Sequence, residues 1–172
     1  DAGTAELRKV SSFETPPQVF ALLDIPVVTM DVEVISRSLS VGLDNIQDPG
    51  NLGTIIRTAN WFGIDHVFCT AGSVDLYNPK VIQASMGAIL NVKVHYVDLE
   101  NILQQFSVIP DYTIIGTFMQ GIAVYDIGLL RKGMILFGNE ARGISNEFLR
   151  FLHRRITIPS GAAGDHVESL NV

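Results

Sequence analysis

Short apolar runs alternate along the chain with segments whose apolar residues recur every three or four positions. The first pattern is typical of buried strands, and the second places apolar side chains on one face of a helix. The pattern predicts strands at residues 19–23, 39–43, 66–69, 92–97, 112–117, 134–137 and 155–158. It predicts helices at residues 52–62, 99–106 and 146–152, and a further helix within 79–90.

This alternation of strands and helices predicts an α/β fold, in which an open, mostly parallel sheet is covered by helices on both faces. Ligands of such sheets bind at the carboxyl ends of the strands, so the loops that follow strands are candidate sites. These loops are predicted at residues 44–50, 118–121, 138–143 and 159–167.

The composition is that of a globular domain, since 47% of the 172 residues are hydrophobic and 17% are charged. No apolar run reaches the roughly 18 residues of a membrane span, and the first residues do not resemble a signal peptide. Cys69 is the single cysteine, which leaves no internal disulfide and favours a cytoplasmic location. No metal site is predicted, because the histidines lack ligand spacing: His66, His95, His153 and His166.

Charge is distributed unevenly along the chain. The formal net charge of −6 argues against a nucleic-acid partner, yet half of the 12 Lys and Arg lie between residues 131 and 155. Only Glu140 and Glu147 oppose them there. A local basic surface can bind a phosphate backbone. From charge alone, a solvated helix surface is the better interpretation.

Common nucleotide and hydrolase motifs are absent from the sequence. No GxGxxG follows an early strand, which disfavours a nicotinamide-dependent oxidoreductase. The segment from Gly138 to Gly143 has the first spacing of a phosphate-binding loop, but Ile144 stands where that motif needs Lys. There is also no GxSxG turn.

The first informative stretch is DPGNLGTIIRTANWFG, residues 48–63, in which Arg57 lies roughly opposite an apolar helix face. Gly53, one turn earlier, costs up to about 1 kcal/mol in a helix, which indicates the close approach of a ligand or of another backbone. Asn51 either caps the helix or points its amide into a cleft. For this stretch alone, a capped helix with a solvated arginine is the better interpretation. The apolar face comprises Leu52, Ile55, Ile56, Ala59 and Phe62.

Two later stretches complete the pattern. The apolar run 134–137 is followed at once by GNEARGI, residues 138–144, so Glu140 lies at the carboxyl end of a strand. A surface turn with a Glu–Arg pair is the simpler alternative for this segment. The third stretch is ITIP at residues 156–159, then a Gly- and Ala-rich loop, then ESLNV at residues 168–172, where a helix can begin.

Together the three stretches resemble the SpoU/TrmH class of the SPOUT RNA methyltransferases. The matching elements are N-x-G-x-x-x-R in the first stretch, LFGNEARGIS at residues 136–145, and ITIP followed by ESLNV. The resemblance covers residues 18–172, which it implies to be the catalytic domain. Residues 1–17 resemble the linker that follows a small N-terminal RNA-binding domain in this family.

The resemblance implies a fold, a reaction and partners. The fold would be an α/β knot, in which the C-terminal segment threads through a loop to form a trefoil and the cofactor binds against it. The reaction would be methyl transfer from S-adenosylmethionine to a ribose 2′-hydroxyl of rRNA or tRNA by a homodimer whose site is completed across the subunit interface. The alternative is a non-catalytic RNA-binding or ribosome-assembly module that retains the fold.

The resemblance also implies roles for individual residues. Arg57 would act on the 2′-hydroxyl, and it would do so by holding the adjacent phosphate, because a guanidinium with a pKa above 12 is not a base. Asn51 would orient Arg57, and Gly53 would leave room for the substrate. The remaining catalytic positions would be Glu140, Ser169 and Asn171. The cofactor would be bound by Thr117, Phe118, Gly121, Gly138, Asn139, Ile158 and Leu170.

Overall fold

The computed structural model describes residues 3–11, 15, 19, 22 and 24–160. Within these residues six strands form one sheet, every neighbouring pair of strands is parallel, and the strand order is β3-β2-β1-β5-β4-β6. The predicted α/β class with a parallel sheet is therefore confirmed. The strands are β1 Leu39–Leu43, β2 His66–Thr70, β3 Lys93–Val97, β4 Thr113–Ala123, β5 Gly133–Phe137 and β6 Arg154–Thr157.

Helices connect most of the strands, and their starts follow local sequence chemistry. Asp48 and Asp98 each precede a helix and accept a hydrogen bond from a backbone N–H of its first turn, which satisfies a donor that the helix itself cannot pair. The α-helices are α1 Thr4–Val10, α2 Val32–Ile35, α3 Pro49–Trp61, α4 Pro79–Ser85 and α5 Leu99–Ser107. Short 3-10 helices span Ala88–Leu90, Val124–Asp126 and Asn146–Phe151.

Two hydrophobic cores lie on opposite faces of the sheet. On one face, α3 and α4 pack against β1 and β2, and Cys69 is buried in this core. On the other face, α5 and the 3-10 helix Asn146–Phe151 pack through Phe106 and Phe148 against β2, β4 and β5. Because both faces are covered, the strands are apolar along most of their length, which is the pattern expected for a parallel sheet.

One prediction about the sheet is wrong. Residues 118–121, predicted as a loop after a strand, lie inside β4. The pairing of β4 with β6 is interrupted there, since Thr117 and Ile122 both pair with Ile156. A Cβ on Gly121 would lie 2.7 Å from the carbonyl oxygen of Arg155, so the glycine permits a close approach of β6. A lone glycine inside a strand pattern indicates a bulge or the close approach of another backbone, and Gly121 fits this rule.

Several helical details also differ from prediction. The helix predicted at residues 146–152 is a 3-10 helix, and the helix within 79–90 divides after Ser85. The helices α1 and α2 were not predicted, and α1 lies within the segment expected to be a linker. Most of the predicted strand 19–23 lies outside the described residues, and Val19 and Leu22, which are described, belong to no strand.

A buried histidine pair joins β2 to β3. His66 Nδ1 and His95 Nε2 are 3.0 Å apart, and the two rings are stacked with their centroids 5.3 Å apart. Burial lowers the pKa of both imidazoles, and the nearby positive charge of Lys93 lowers it further; the pKa of His95 falls to about 4. Both rings are therefore neutral in the folded protein at neutral pH, and one nitrogen donates to the other.

We expect the folded state to lose stability as the pH falls from about 6.5 towards 4. In this window the unfolded chain binds protons at both histidines while the folded chain does not, so protonation favours unfolding. Urea denaturation should show a free energy of unfolding lower by about 2 kcal/mol at pH 5 than at pH 7.5 from His95 alone. The variant H95Q, which cannot titrate, should have a shallower pH dependence; an unchanged slope would contradict this account.

Candidate functional site

The strand order reverses at the centre of the sheet. From β1 the chain proceeds to β2 and β3 on one side, then crosses to β4 on the other side, and β5 lies between β4 and β1. Ligands of open α/β sheets bind beyond the carboxyl ends of the strands at such a reversal of strand order. The loops that follow β1 and β5 meet at this point, and two of the three motif stretches lie in or beside them.

Asn139 organises the loop after β5. Its backbone exchanges two hydrogen bonds with Gly143, at 3.0 and 2.8 Å. Its side-chain oxygen accepts from the backbone N–H groups of Ala141 and Arg142 at 3.0 and 3.1 Å. Its side-chain nitrogen donates to the carbonyl of Asn45 at 2.8 Å. The amide of Asn139 therefore ties this loop to the end of β1.

Asn51 and Glu140 join the start of α3 to the same loop. The side-chain nitrogen of Asn51 donates to Glu140 Oε1 at 3.0 Å, and the backbone N–H of Asn51 donates to Asp48 Oδ1 at 2.8 Å. Asn51 is 7% exposed. Of the two roles that the sequence left open for Asn51, the helix cap is wrong, because Asp48 caps the helix. The Asn51 amide instead reaches across to the loop after β5.

Asp44 is a site residue that the sequence analysis missed. It follows β1 directly, is 3% exposed, and its Oδ2 accepts a hydrogen bond of 2.7 Å from the backbone N–H of Ser145. This bond closes the far end of the loop after β5 onto β1. The available signal was a carboxylate immediately after a buried apolar strand, where it must find a partner inside the protein.

Gly138 is required by the close packing of the loop that follows β5. A Cβ there would lie 2.1 Å from the carbonyl carbon of Gly143 and 2.3 Å from the nitrogen of Ile144. No side chain fits at these distances, so the glycine allows the loop to close over the end of β5. Contact of Gly138 and Asn139 with a cofactor stays a prediction, since their described contacts are internal.

Arg57 stands apart from the other motif residues. It is exposed on α3, six positions beyond Asn51, which corresponds to about 9 Å along a helix axis. Within the described part of the chain the Arg57 side chain makes no hydrogen bond and no ion pair, and the Asn51 amide is engaged with Glu140. The structure therefore brings Asn51, Asn139 and Glu140 together and leaves the guanidinium facing solvent.

The reason for Gly53 is the neighbouring helix. A Cβ there would lie 2.5 Å from Ala84 Cβ and 2.8 Å from the carbonyl oxygen of Val81, both on α4. Gly53 is buried, so the expectation that it leaves room for the substrate is wrong. The other possibility raised by the sequence, the close approach of another backbone, is confirmed.

The predicted cofactor residues of β4 and β6 lie at the interrupted part of their pairing. Thr117 donates through its hydroxyl to the carbonyl of Leu136 at 3.1 Å, and the Arg155 guanidinium lies 4.9 Å from the centre of the Phe118 ring. Ile158, just after β6, is 57% exposed. The predicted site residues Ser169, Leu170 and Asn171 lie outside the described residues.

Residues 3–11 and 24–160 contain no group of three or more His, Cys, Asp or Glu side chains placed to hold a metal ion. In the same part of the chain no helix combines the length and the apolar character that crossing a bilayer requires.

Comparison with known sequences defines the class of protein. The sequence profile of the SpoU rRNA Methylase family matches residues 38–172, which include all three motif stretches. The chain belongs to this family. The predicted family resemblance is confirmed, and the α/β sheet described above is its structural setting.

Several curated relatives are similar over nearly the whole chain. An uncharacterized tRNA/rRNA methyltransferase of Synechocystis is 33% identical over 96% of this chain. A 23S rRNA (guanosine-2′-O)-methyltransferase of Bacillus subtilis is 29% identical over 95%, and a 23S rRNA (uridine-2′-O)-methyltransferase of Streptomyces viridochromogenes is 26% identical over 92%. The chain spans 60%, 63% and 58% of the lengths of these three proteins, respectively.

Solved structures share the fold. A putative RNA methyltransferase of the TrmH family from Porphyromonas gingivalis superposes with a TM-score of 0.84 at 39% identity, covering 96% of this chain and 65% of that one. A SpoU methyltransferase from Streptomyces viridochromogenes in complex with AdoMet superposes with a TM-score of 0.66 at 26% identity, covering 80% of this chain and 58% of that one.

The contact between α3 and α4 can be tested by filling the space at Gly53. We expect G53A to lower the free energy of unfolding by about 2 kcal/mol, because overpacking against the α4 backbone outweighs the gain of up to about 1 kcal/mol in helix propensity. Urea denaturation followed by circular dichroism measures the change. The neighbouring variant T54A, at an exposed position of the same helix, is the control and should retain full stability. A stabilised G53A protein would contradict the observed packing.

Proposed function

We propose that this chain transfers a methyl group from S-adenosylmethionine to a ribose 2′-hydroxyl of rRNA or tRNA. The observation that carries the proposal is the similarity to a SpoU methyltransferase in complex with AdoMet over 80% of the chain. Relatives named as 2′-O-methyltransferases of 23S rRNA support the reaction and its substrate class. The same names favour an enzyme over a non-catalytic assembly module.

The end of β4 fits an adenosine cofactor. Residues 118–121 lie between the two pairing segments of β4 and β6, so part of their backbone can bind a ligand. Apolar side chains are exposed in and next to this segment, among them Met119 at 74% within it and Ile158 at 57% just after β6. A surface of this kind can bind a purine ring through apolar contacts and backbone groups. When bound, S-adenosylmethionine would supply a methyl group on a sulfonium, which becomes a neutral thioether.

Arg57 would position the RNA. Its exposed guanidinium can hold the phosphate next to the target ribose through two parallel hydrogen bonds and so orient the 2′-hydroxyl. The hydroxyl proton is released to solvent as the new C–O bond forms. Holding the hydroxyl in line with the methyl group lowers the barrier by alignment rather than by proton abstraction.

Asn51 and Glu140 would form the wall of the site rather than act directly on the methyl group. Their hydrogen bond fixes the start of α3 against the loop after β5, which holds Arg57 at a constant distance from the carboxyl edge of the sheet. In this proposal Asn51 orients the arginine through the helix on which both residues lie. Ser169 and Asn171 complete the site from the third motif.

The architecture of the proposed enzyme extends the described fold. We propose that residues 18–172 form the catalytic domain, that 1–17 act as a linker, and that the segment after β6 threads through a loop to form a trefoil knot. The resemblance of the third motif to the family supports the knot. It also supports a homodimer in which each site is completed by the partner subunit.

Basic residues near the end of the chain suit an RNA substrate. Of the six cations between residues 131 and 155, Lys132 and Arg150 are paired with acidic side chains. Arg131, Arg142 and Arg154 are exposed, and no acidic side chain of the described residues pairs with them. Exposed arginines without acidic partners can bind phosphates, so the local charge supports RNA binding despite the net charge of −6.

Calorimetric titration with S-adenosylhomocysteine tests the cofactor class. We expect saturable binding of S-adenosylhomocysteine and no binding of NAD, because the chain lacks the glycine-rich turn that holds a dinucleotide pyrophosphate. Binding of NAD without binding of S-adenosylhomocysteine would overturn the proposal.

The variant R57A tests the proposed role of the arginine. Methyl transfer to RNA, measured with a radiolabelled methyl group, should fall at least about 100-fold, as is typical when a positioned charge at a reaction centre is removed. R57K should recover only part of this, since an ammonium lacks the planar fork. The affinity for S-adenosylhomocysteine should be unchanged in both variants.

The matched control for these variants is R37A. Arg37 is an exposed arginine that follows α2, and its side chain is paired with Glu33. R37A should retain full methyl transfer. Normal turnover by R57A would remove Arg57 from the mechanism while leaving the cofactor assignment in place.

A further inference from the structure

An open cavity of about 600 Å3 lies between the end of α3 and the turn that follows α4. Its lining includes Arg57, Trp61, Phe62 and Met86. Arg57 and Trp61 are four positions apart on α3, so their side chains lie on the same face of the helix. The cavity therefore combines a cation with aromatic and thioether surfaces, and it borders the residue proposed to hold the RNA phosphate.

The apolar side chains of this cavity are unusually exposed. Trp61 is 84% exposed and Phe62 is 73% exposed, although large aromatic side chains are mostly buried in folded proteins. Two large aromatic side chains exposed next to each other beside a cation form a candidate binding surface. Arg57 is paired with no acidic side chain of the described residues, so the cavity presents an available positive charge beside an available indole.

The backbone at the rim of the cavity is strained. Met86 has a φ of 50°, in the left-handed region, and Gly87 follows with a φ of 87°. The left-handed backbone conformation raises the free energy of any residue that carries a side chain. Residues held in this conformation cluster at ligand sites. This conformation ends α4 and leaves the Met86 side chain 74% exposed against the cavity.

We propose that this cavity binds an unpaired nucleobase of the RNA substrate, with the base stacked on Trp61 and the adjoining phosphate held by Arg57. The inference rests on the proposed function and specifies how the substrate is recognised. Single-stranded RNA is bound through stacking of bases on aromatic side chains beside a positive charge, which is the combination found here. The site favours an unpaired segment over a duplex, because a paired base cannot present its face to the indole.

A second copy of this chain is the competing occupant. The partner subunit of the proposed homodimer can border the site, but a partner that filled this cavity would bury Arg57 and would need an acidic side chain there, since an unpaired buried charge is strongly unfavourable. RNA supplies a phosphate at every nucleotide and so satisfies the guanidinium wherever the base is placed. The charge of Arg57 together with the exposed indole therefore favours RNA.

Intrinsic fluorescence reports directly on the proposed stack, because Trp61 is the only tryptophan of the chain. The full chain is titrated with a single-stranded oligoadenylate and, as the matched control, with an abasic oligoribonucleotide of the same length. We expect saturable quenching by the oligoadenylate and little quenching by the abasic strand, which offers phosphates without bases. Equal quenching by both strands would overturn base stacking.

Variants measure the contribution of the stack to affinity. With a fluorescently labelled oligoadenylate, W61A should bind about tenfold more weakly than the parent chain, which lies within the usual effect of losing one base–aromatic contact. W61F should retain most of the affinity. Y125A, which removes another exposed aromatic side chain outside the cavity, should bind as the parent does. Because Trp61 is largely exposed, its replacement leaves the core intact.

The outcomes separate this inference from the proposed function. If the chain binds S-adenosylhomocysteine and RNA, but W61A binds RNA with parental affinity, the nucleobase site is wrong and the proposed function stands. If the chain binds neither, both fall. If the emission of Trp61 shifts with protein concentration alone and RNA has no effect, the cavity is an interface between copies and the inference is overturned.

Discussion

The carboxyl edge of the sheet depends on one side chain, the amide of Asn139. Its oxygen holds the turn of its own loop, and its nitrogen holds the backbone after β1, so two strands that are distant in sequence end in a single unit. Glu140 is fixed by this unit and in turn receives the hydrogen bond from Asn51. The start of α3, and with it the direction in which Arg57 is presented, follows from these contacts. A short polar network thus transmits the geometry of the sheet to an exposed guanidinium.

The motif glycines Gly53 and Gly138 each permit a different close contact within the chain. Gly53 and Gly138 both look like openings for a ligand when they are considered as sequence, and both are filled by the chain itself in the structure. The first permits two helices to touch, and the second permits a loop to close. The ligand sites proposed above lie elsewhere, beside the interrupted pairing of β4 and β6 and at the end of α3. These two glycines therefore permit close packing of the chain around the site rather than contact with a ligand.

Periodicity and turn chemistry were sufficient to predict most of the sheet. The strand at residues 39–43 was predicted with its observed bounds, and the central helix was displaced by only a few residues, because Asp48 and Pro49 start it earlier than its first apolar residue. The continuation of β4 beyond Thr117 was missed because it depends on the distant strand β6. The Asn51–Glu140 contact was missed for the same reason, since 89 residues separate its partners. Local sequence patterns predict local structure. Long-range contacts could be predicted only from the family resemblance, or had to be seen in the structure.

The buried position of Cys69 has a practical consequence for the chemistry of the whole protein. Burial in the core beneath α3 and α4 raises the pKa of its thiol to about 12, so the reactive thiolate is essentially absent from the folded state at neutral pH. Alkylating reagents can therefore reach this sulfur only when the layer of α3 and α4 opens. Because Cys69 is the single cysteine, the rate of thiol labelling measures how often the helix layer that carries Arg57 and Trp61 opens.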